Sequence, residues 1–298
     1  MADTFASGRL LIVAFEGWND AGEAASNAVR ALRDDLDVEP IADVEPEDYF
    51  DFQFNRPTVR TDEDGNRVLE WPGVTMFGPE TPDGRIFLLL GTEPSRGWRT
   101  FSDEILEIVT AREITGIVML GAMLADVPHT RPISIFASSE SPVLRSELGL
   151  DRSSYEGPVG ILSVLAEAAQ RLGIPSVSIW ASVPHYVHNA PSPKATLALL
   201  DKLESLLGIP VERGDLEEEA AAWVSGIDAL ASDDDDMSSY IEQLEQARDT
   251  VDSPEASGEA IAQEFERYLR RHGRGPGGHA GPAGPAGPAG DDPWPPKA

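Results

Sequence analysis

Three short polar loops carry the side chains best suited to chemistry. They are Trp18-Asn19-Asp20, Thr92-Glu93-Pro94-Ser95-Arg96 and His129-Thr130-Arg131. Two arginines and the free backbone N–H groups of helix N-termini could hold a carboxylate or a phosphate at the edge of a parallel sheet. A simpler interpretation assigns helix capping to Asn19 and Asp20, and ion pairs to Arg96 and Arg131. Both interpretations remain open at this point.

A fourth candidate is His185, which is followed three residues later by His188. On a helix this spacing can place two imidazoles on one face, as a metal site requires. Pro184 and Pro191 favour extended chain instead, where positions i and i+3 point to opposite sides. Because no third ligand is apparent, packing or hydrogen-bonding roles are favoured, and we expect no metal at His185.

Several catalytic signatures are missing from the chain. It has no Cys, no G-x-S-x-G nucleophile elbow and no phosphate-binding loop of the G-x-x-x-x-G-K-[ST] type. In the first turn, Gly17 and Gly22 are five residues apart, which does not match the dinucleotide-binding G-x-G-x-x-G. Only three lysines occur, Lys194, Lys202 and Lys297, although many nucleotide-using sites need one. We therefore expect no cofactor and leave open whether the protein is an enzyme.

The elements that must position these loops begin with Arg9 to Phe15, an unbroken apolar run. A turn from Glu16 to Gly22 leads into Ala24 to Leu36, whose apolar residues recur at helical spacing. This pattern is typical of a strand buried on both faces and its crossover helix. Four similar runs follow, at Ile86–Leu90, Ile117–Leu120, Ile133–Ala137 and Val177–Trp180. The sequence predicts an α/β fold with a mostly parallel sheet, and any site at the carboxyl ends of the strands.

Local signals refine this prediction. Asp20 and Glu23 resemble a capping box for the first helix. Residues 45–82 resemble a β-hairpin insertion around Asp64-Gly65-Asn66, whose aromatic residues pack the insertion or form a protein interface. Residues 138–150 are predicted to be an irregular link, and Gly157-Pro158 to start a helix.

The chain divides by composition into three parts. We expect an α/β core domain over residues 1–210, an acidic helical extension over 211–272, and a disordered tail rich in Gly, Pro and Ala over 273–298. Between Val211 and Ala260 there are 16 acidic residues and two arginines. A solvated helical surface explains this charge, and an acidic docking surface for a basic partner is the alternative.

The net charge of −29 argues against two classes of partner. Phosphate backbones and anionic membrane surfaces both attract basic faces, so neither nucleic acid nor a membrane is expected. No apolar run approaches the length of a membrane helix, and the first residues do not resemble a signal peptide. We expect a cytoplasmic protein.

Several motifs together resemble one family. They are Leu11 to Gly22, Gly91-Thr92-Glu93-Pro94, Gly121-Ala122-Met123 ahead of Pro128-His129-Thr130-Arg131-Pro132, Gly157-Pro158, and Pro184-His185-Tyr186. Their order and spacing over about residues 8 to 210 resemble the proteasome assembly chaperone 2 family in its bacterial branch. The resemblance implies a three-layer α/β/α domain similar to nucleoside phosphorylases and hydrolases, and self-association, with a trimer as our guess.

The resemblance also has functional implications. Eukaryotic and archaeal relatives assist assembly of the proteasome core. Related chains have carried labels as carboxylate–amine ligases of the ATP-grasp type, but Lys194 is the only Lys near a candidate loop here and the expected Mg²⁺-binding pattern is not evident. The last residues do not match the hydrophobic–Tyr–X ending of proteasome-binding relatives, so we expect no tail docking.

Two functions follow as hypotheses. The first is a non-enzymatic, protein-binding oligomer that resembles assembly chaperones, in which Trp18 or Phe52 contributes to self-association and the acidic helices offer a partner surface. The alternative is a small-molecule or anion-binding enzyme with Asn19, Asp20, Arg96 and Arg131 around the ligand. The alternative requires those four side chains to converge.

Overall fold

The computed structural model describes residues 5–62 and 64–252. Nine strands lie in this part of the chain: β1 (Leu10–Glu16), β2 (Val38–Val44), β3 (Thr58–Thr61), β4 (Arg67–Glu70), β5 (Val74–Pro79), β6 (Ile86–Thr92), β7 (Gly116–Ala125), β8 (Ile135–Ser138) and β9 (Ser176–Pro184). Seven of them form one sheet in the order β2-β5-β6-β1-β7-β9-β8. The four central strands β6, β1, β7 and β9 are parallel, and the three flanking strands are antiparallel to their neighbours.

Eight α-helices accompany the strands in the same residues. They are α1 (Ala24–Asp35), α2 (Pro46–Tyr49), α3 (Trp98–Ala111), α4 (Pro142–Leu148), α5 (Ile161–Arg171), α6 (Pro193–Leu207), α7 (Leu216–Ser232) and α8 (Asp235–Asp252). Helices α1 and α6 cover one face of the sheet, and α3 and α5 cover the other. This confirms the predicted α/β fold with a mostly parallel central sheet, helices on both sides and a helical C-terminal part.

Strand β1 shows why the sheet must be covered on both faces. Its side chains alternate between the two layers: Leu10, Ile12 and Ala14 join the α1 and α6 core, whereas Leu11, Val13 and Phe15 join the α3 and α5 core. All six are fully buried. A strand of this kind has no polar face to offer to water, so its crossover helix and later helices have to cover both sides.

Several local predictions were wrong. Residues 74–79, expected within the hairpin insertion, form strand β5 of the main sheet, paired with both β2 and β6. A short link that contains Pro128 and Pro132 joins β7 to β8 without a crossover helix. Strand β8 therefore runs opposite to β7 and antiparallel to its neighbour β9. The link expected over 138–150 contains helix α4, capped by Ser141, whose Oγ accepts from Leu144 N at 3.4 Å. Helix α5 begins at Ile161, after Pro158 rather than with it.

The predicted β-hairpin is present as β3 and β4, a two-stranded sheet separate from the main one. We call residues 54–62 and 64–71 the arm. All eight residues in its two strands are exposed. The apolar side chains of the arm lack a cover within the residues described. An isolated hairpin of this kind is marginally stable in water.

Helices α7 and α8 lie within the acidic extension that was predicted to be helical. Helix α7 packs against α6 and belongs to the compact unit that ends at Arg248. The domain boundary near residue 210 stays a prediction. The last part of the predicted extension, beyond residue 252, and the tail expected over residues 273–298 lie outside the described residues. Among the described helices, none has both the length and the apolarity needed to cross a membrane.

Candidate functional site

The first two predicted loops meet at the carboxyl ends of β1 and β6. Asn19 is buried, and its Nδ2 donates to Glu93 Oε1 at 2.8 Å. The same carboxylate oxygen accepts from Ile161 N at 2.9 Å, so Glu93 caps the N-terminus of α5, where a negative charge is stabilising. Asn19 and Glu93 therefore link the loops after β1 and β6 to the start of α5, and both side chains have a structural role.

Asp20 caps α1 across an unusual first turn. Ala21–Glu23 form a 3-10 turn, and Glu23 takes a left-handed conformation with φ of 50°. The predicted capping box is therefore wrong: Glu23 does not close it. Instead Asp20 Oδ1 accepts from Ala25 N at 2.7 Å and from Ser26 N at 3.1 Å. Burial raises the pKa of Asp20, while the bonds from Ser26 and Ala25 oppose that rise.

We expect Asp20→Ala to lower the free energy of unfolding by about 1–2 kcal/mol, because two N–H groups of α1 lose their acceptor. Asp20→Asn is the matched control, since its amide oxygen keeps the cap while the buried charge is removed. Urea unfolding followed by circular dichroism measures both. If Asp20→Ala and Asp20→Asn lose the same free energy of unfolding, the charge of Asp20 and not its capping hydrogen bonds stabilises the fold.

The two arginines of the anion hypothesis do not face an open site. Arg96 Nη2 donates to Glu47 O at 2.6 Å, and its Nε to Asp48 O at 3.3 Å, so it secures the segment around α2. Arg131 Nη1 lies 3.2 Å from Glu245 Oε1 on α8. Each guanidinium is engaged by a different part of the protein. The convergence that an anion-binding enzyme requires is not found among the described residues.

His129 lies at the centre of a buried polar cluster. Its ring is fully buried, with Nδ1 2.9 Å from Tyr186 Oη and Nε2 3.0 Å from Asp228 Oδ1 on α7. The His129 backbone N donates to the same Tyr186 hydroxyl at 2.7 Å. Lys194 Nζ donates to the carbonyls of His129 and Arg131, at 2.5 and 2.8 Å. The cluster joins the loop after β7 to the C-terminal helices.

The hydrogen bonds fix one tautomer of His129. Because the Tyr186 hydroxyl accepts from a backbone N–H, its own proton is available to Nδ1, and Nε2 then carries the proton donated to Asp228. The neutral ring is thus fully paired. Burial lowers the pKa of His129 below its ordinary 6.5, although Asp228 acts in the opposite direction. Burial likewise lowers the pKa of Lys194.

This pKa shift predicts a pH-dependent stability. As the pH falls, His129 takes up a proton at a higher pH in the unfolded chain than in the folded chain. The stabilisation of the folded state by neutral His129 is therefore complete above pH 6.5, and it is lost as the pH falls toward the lowered pKa of the folded state. We expect Tm to fall as the pH is lowered from about 6.5 to about 5. In His129→Gln, which cannot titrate, the fall should be smaller; parallel curves for the two proteins would contradict the assignment.

The remaining contacts of this region hold α8 in place. Thr130 Oγ1 bonds to Glu245, and Arg248 Nη1 donates to Ser134 Oγ at 2.8 Å. The ring of Tyr240 packs edge-on against His185, with centroids 5.6 Å apart. Helices α7 and α8 are consequently fixed to the core by side chains from one loop, and they cover His129 from solvent.

His185 and His188 lie on a 3-10 turn, not on the predicted extended chain. His185 Nδ1 is 3.3 Å from Asp126 Oδ1, and His188 Nδ1 is 2.9 Å from the carbonyl of His185. His188 thus has a hydrogen-bond partner, while His185 packs against Tyr186 and Tyr240. Within residues 5–62 and 64–252, no group of three His, Asp or Glu side chains is arranged to hold a metal ion.

Trp18 lies beside an open groove of about 1,630 Å³, bounded by β7, β8, β9, α5 and the loop over residues 151–160. Large apolar side chains line it with unusual exposure: Trp18 62%, Met123 39%, Leu124 49%, Phe136 55%, Tyr155 64% and Val159 46%. A contiguous apolar surface of this kind is typical of an interaction site. Its charged lining residues are mainly acidic, namely Asp20, Glu140, Asp151 and Glu167 against Arg152.

Sequence reasoning missed the partners of the polar loops. Tyr186 and Asp228, which hold His129, were not singled out, although Tyr186 belongs to a motif that was noted. Asp228 is separated from His129 by 99 residues and lies on an acidic helix with many similar side chains. No spacing rule distinguishes it. The apolar groove also combines residues from four separate segments of the chain.

Comparison with known proteins now gives the family. The PAC2 family model matches residues 14–231, and the chain belongs to the PAC2 family. A PAC2 family protein from Streptomyces avermitilis is 43% identical, with a TM-score of 0.71 over 78% of this chain and 98% of that one. A proteasome-assembly chaperone homologue from Mycobacterium tuberculosis is 40% identical, with a TM-score of 0.69 over 78% of this chain and 99% of that one.

A more distant structure shares the fold. PbaB of Pyrococcus furiosus, an archaeal proteasome activator, is 15% identical and has a TM-score of 0.60 over 77% of this chain and 96% of that one. At this identity the likeness concerns the fold alone. Comparison with curated proteins finds no significant match.

Proposed function

We propose that this protein is a non-enzymatic, protein-binding oligomer that acts like an assembly chaperone. The observation that carries this proposal is the acidic outer surface of α7 and α8. Helix α7 is anchored to the core by His129, and α8 by the contacts of Thr130 and Arg131 with Glu245. The PAC2 family and the proteasome-assembly chaperone homologue among its relatives support the same role. The polar side chains that could do chemistry are instead used in caps and loop contacts.

The acidic face has both charge and an apolar anchor. Its exposed carboxylates are Glu217, Glu218, Glu219, Asp228, Asp233, Asp234, Asp235, Asp236 and Glu242. Leu230 lies among them with 65% of its surface exposed. A row of like charges raises the association rate of an oppositely charged surface, and an exposed leucine can be buried on contact. The partner we infer is a protein with a basic surface.

Finer features complete the proposal. We infer that the subunits self-associate, and the family resemblance suggests a trimer. We also infer that the protein works in the cytoplasm. Because one relative, 40% identical, is a proteasome-assembly chaperone homologue, proteasome subunits are the first partners to consider. Binding would use the acidic helices.

Affinity capture with matched variants tests the proposal. The face variant combines Glu217→Gln, Glu218→Gln, Glu219→Gln and Asp233→Asn; Asp234 is kept because its Oδ1 caps α8 through Asp236 N and Met237 N. The control variant removes the same number of exposed charges elsewhere, with Glu80→Gln, Asp83→Asn, Glu107→Gln and Glu113→Gln.

We expect the wild type and the control to retain the same proteins, and the face variant to retain at least about 10-fold less of them. Higher salt should weaken capture, because exposed charges are screened beyond about 10 Å at 0.1 M. Retention that is equal in all three proteins, or lost equally in both variants, would overturn the acidic face as the binding surface.

A further inference from the structure

Helix α7 buries few of its residues against the core. Of its 17 residues three are buried, namely Ala220, Ile227 and Ala231. A further contact comes from His129, which bonds to Asp228 and packs edge-on against Trp223, with ring centroids 6.3 Å apart. A helix with so little buried surface opens at a lower free-energy cost than a strand that is buried on both faces, such as β1. Helix α7 can therefore separate from the core while the sheet stays folded.

The contact of His129 with its neighbours suits a neutral ring and not a protonated one. In the neutral ring Nδ1 accepts from the Tyr186 hydroxyl, whose oxygen accepts from the His129 backbone N–H. A protonated ring carries a second proton, on Nδ1, which would point at the proton of that hydroxyl. Burial raises the pKa of Tyr186 to about 12, so the hydroxyl keeps its proton. Protonation of His129 therefore costs the hydrogen bond between Tyr186 and Nδ1.

The charged groups around the ring act in both directions. Lys194 on α6 opposes a positive charge on His129, whereas Asp228 on α7 and Glu245 on α8 favour it. Arg131, in the same loop as His129, lies 3.2 Å from Glu245 Oε1 and offsets part of that carboxylate's effect. Burial outweighs both carboxylates, so the pKa of His129 is lowered while α7 covers the ring. Once α7 has moved away, the ring lies in water and its pKa returns to the ordinary value of about 6.5.

We propose that His129 is a pH-sensitive latch, in which the neutral ring holds α7 on the core and protonation of the ring releases α7 from a folded sheet. The released state binds the proton more readily than the closed state, so a fall in pH favours release. Between pH 7.5 and pH 5.0 the ratio of released to closed protein rises by at most about 30-fold, the limit set by a pKa of about 6.5 in the released state. The regulatory consequence rests on the proposed function, because α7 carries part of the acidic face.

Amide hydrogen exchange at pH 7.5 and at pH 5.0, corrected for the intrinsic exchange rates, tests the latch without any partner protein. In the wild type we expect the protection of α7 amides to fall by about 10- to 30-fold, while β1 and β7 keep theirs. In His129→Gln the fall should be smaller than about 3-fold, because the glutamine amide can bond to Tyr186 and Asp228 but cannot titrate. His185→Gln is the matched control and should respond like the wild type, since the ring of His185 packs against Tyr186 and against Tyr240 on α8.

Three results would overturn the latch. They are an α7 protection that does not change with pH, an equal fall in the wild type and His129→Gln, and a loss of protection in β1 and β7 together with α7. If His129→Gln already lacks protection in α7 at pH 7.5, NMR titration of the His129 ring in the wild type decides instead. A ring that titrates with the midpoint at which α7 loses protection supports the latch, and a different midpoint overturns it. Failure of the latch leaves the capture test of the acidic face unaffected.

Discussion

Replacing His129 with alanine should lower the free energy of unfolding by about 2–4 kcal/mol, the largest effect we expect from a single side chain. The change removes a fully buried ring, its hydrogen bond to Asp228 and the acceptor of the Tyr186 hydroxyl. It also removes the contact that joins the core loop to α7. Urea unfolding gives the total loss, and hydrogen exchange shows where the protection is lost.

Hydrogen exchange separates a local from a general effect. We expect amides of α7 and the first part of α8 to exchange faster in His129→Ala, while β1 and β7 remain protected. Asp228→Asn is the control, since its amide oxygen can still accept from Nε2 and the carboxylate of Asp228 is half exposed. A uniform rise in exchange, or an Asp228→Asn loss as large as that of His129→Ala, would contradict the proposed anchor.

Gly91→Ala should be nearly as damaging, with a loss of about 2–3 kcal/mol. A Cβ at this position would lie 2.1 Å from the carbonyl oxygen of Gly73 and 2.6 Å from Cα of Val74. Both are backbone atoms of the chain that enters β5, which pairs with β6 at this point. No side-chain rotation can relieve such a contact, so the two strands would have to separate.

Gly226→Ala provides the matched comparison for Gly91→Ala. Gly226 lies in α7 with open space around its Cα, so alanine there should raise the free energy of unfolding by about 0.5–1 kcal/mol through its better helix propensity. Thermal unfolding measures both variants. A tolerated Gly91→Ala would mean that β5 does not pack on β6 as described.

Much of the sheet could be predicted because its strands are buried on both faces. Leu10 to Phe15 leave only one arrangement, a covered parallel strand, and the same holds for β6, β7 and β9. Strand β5 escaped prediction because Gly78 and Pro79 at its end are typical of a turn, and because the hairpin signal directly precedes it. Its place in the sheet depends on pairing with β6, a contact that no local pattern contains.

The candidate residues were better predicted than their roles. Asn19, Glu93 and His129 serve the fold through partners distant in sequence, whereas Asp20 caps the helix that follows it, as one of the two interpretations expected. The exposed side chains, Trp18 above all, are the ones left for interaction. The sequence therefore identified the loops whose polar side chains hold the fold together. The exposure of apolar and acidic side chains could be found only in the structure.

We propose that the protein binds a partner protein through the acidic face of α7 and α8. Carbodiimide cross-linking tests it directly, because this reagent joins carboxylates to lysines and the chain has 52 acidic residues but only three lysines. Cross-links within the chain should be few, so products mapped by mass spectrometry report on lysines of a captured partner. We predict cross-links from Glu217–Glu219 and from Asp233–Asp236. Cross-links confined to Glu80, Asp83 or Glu107, on other surfaces of the protein, would contradict the account.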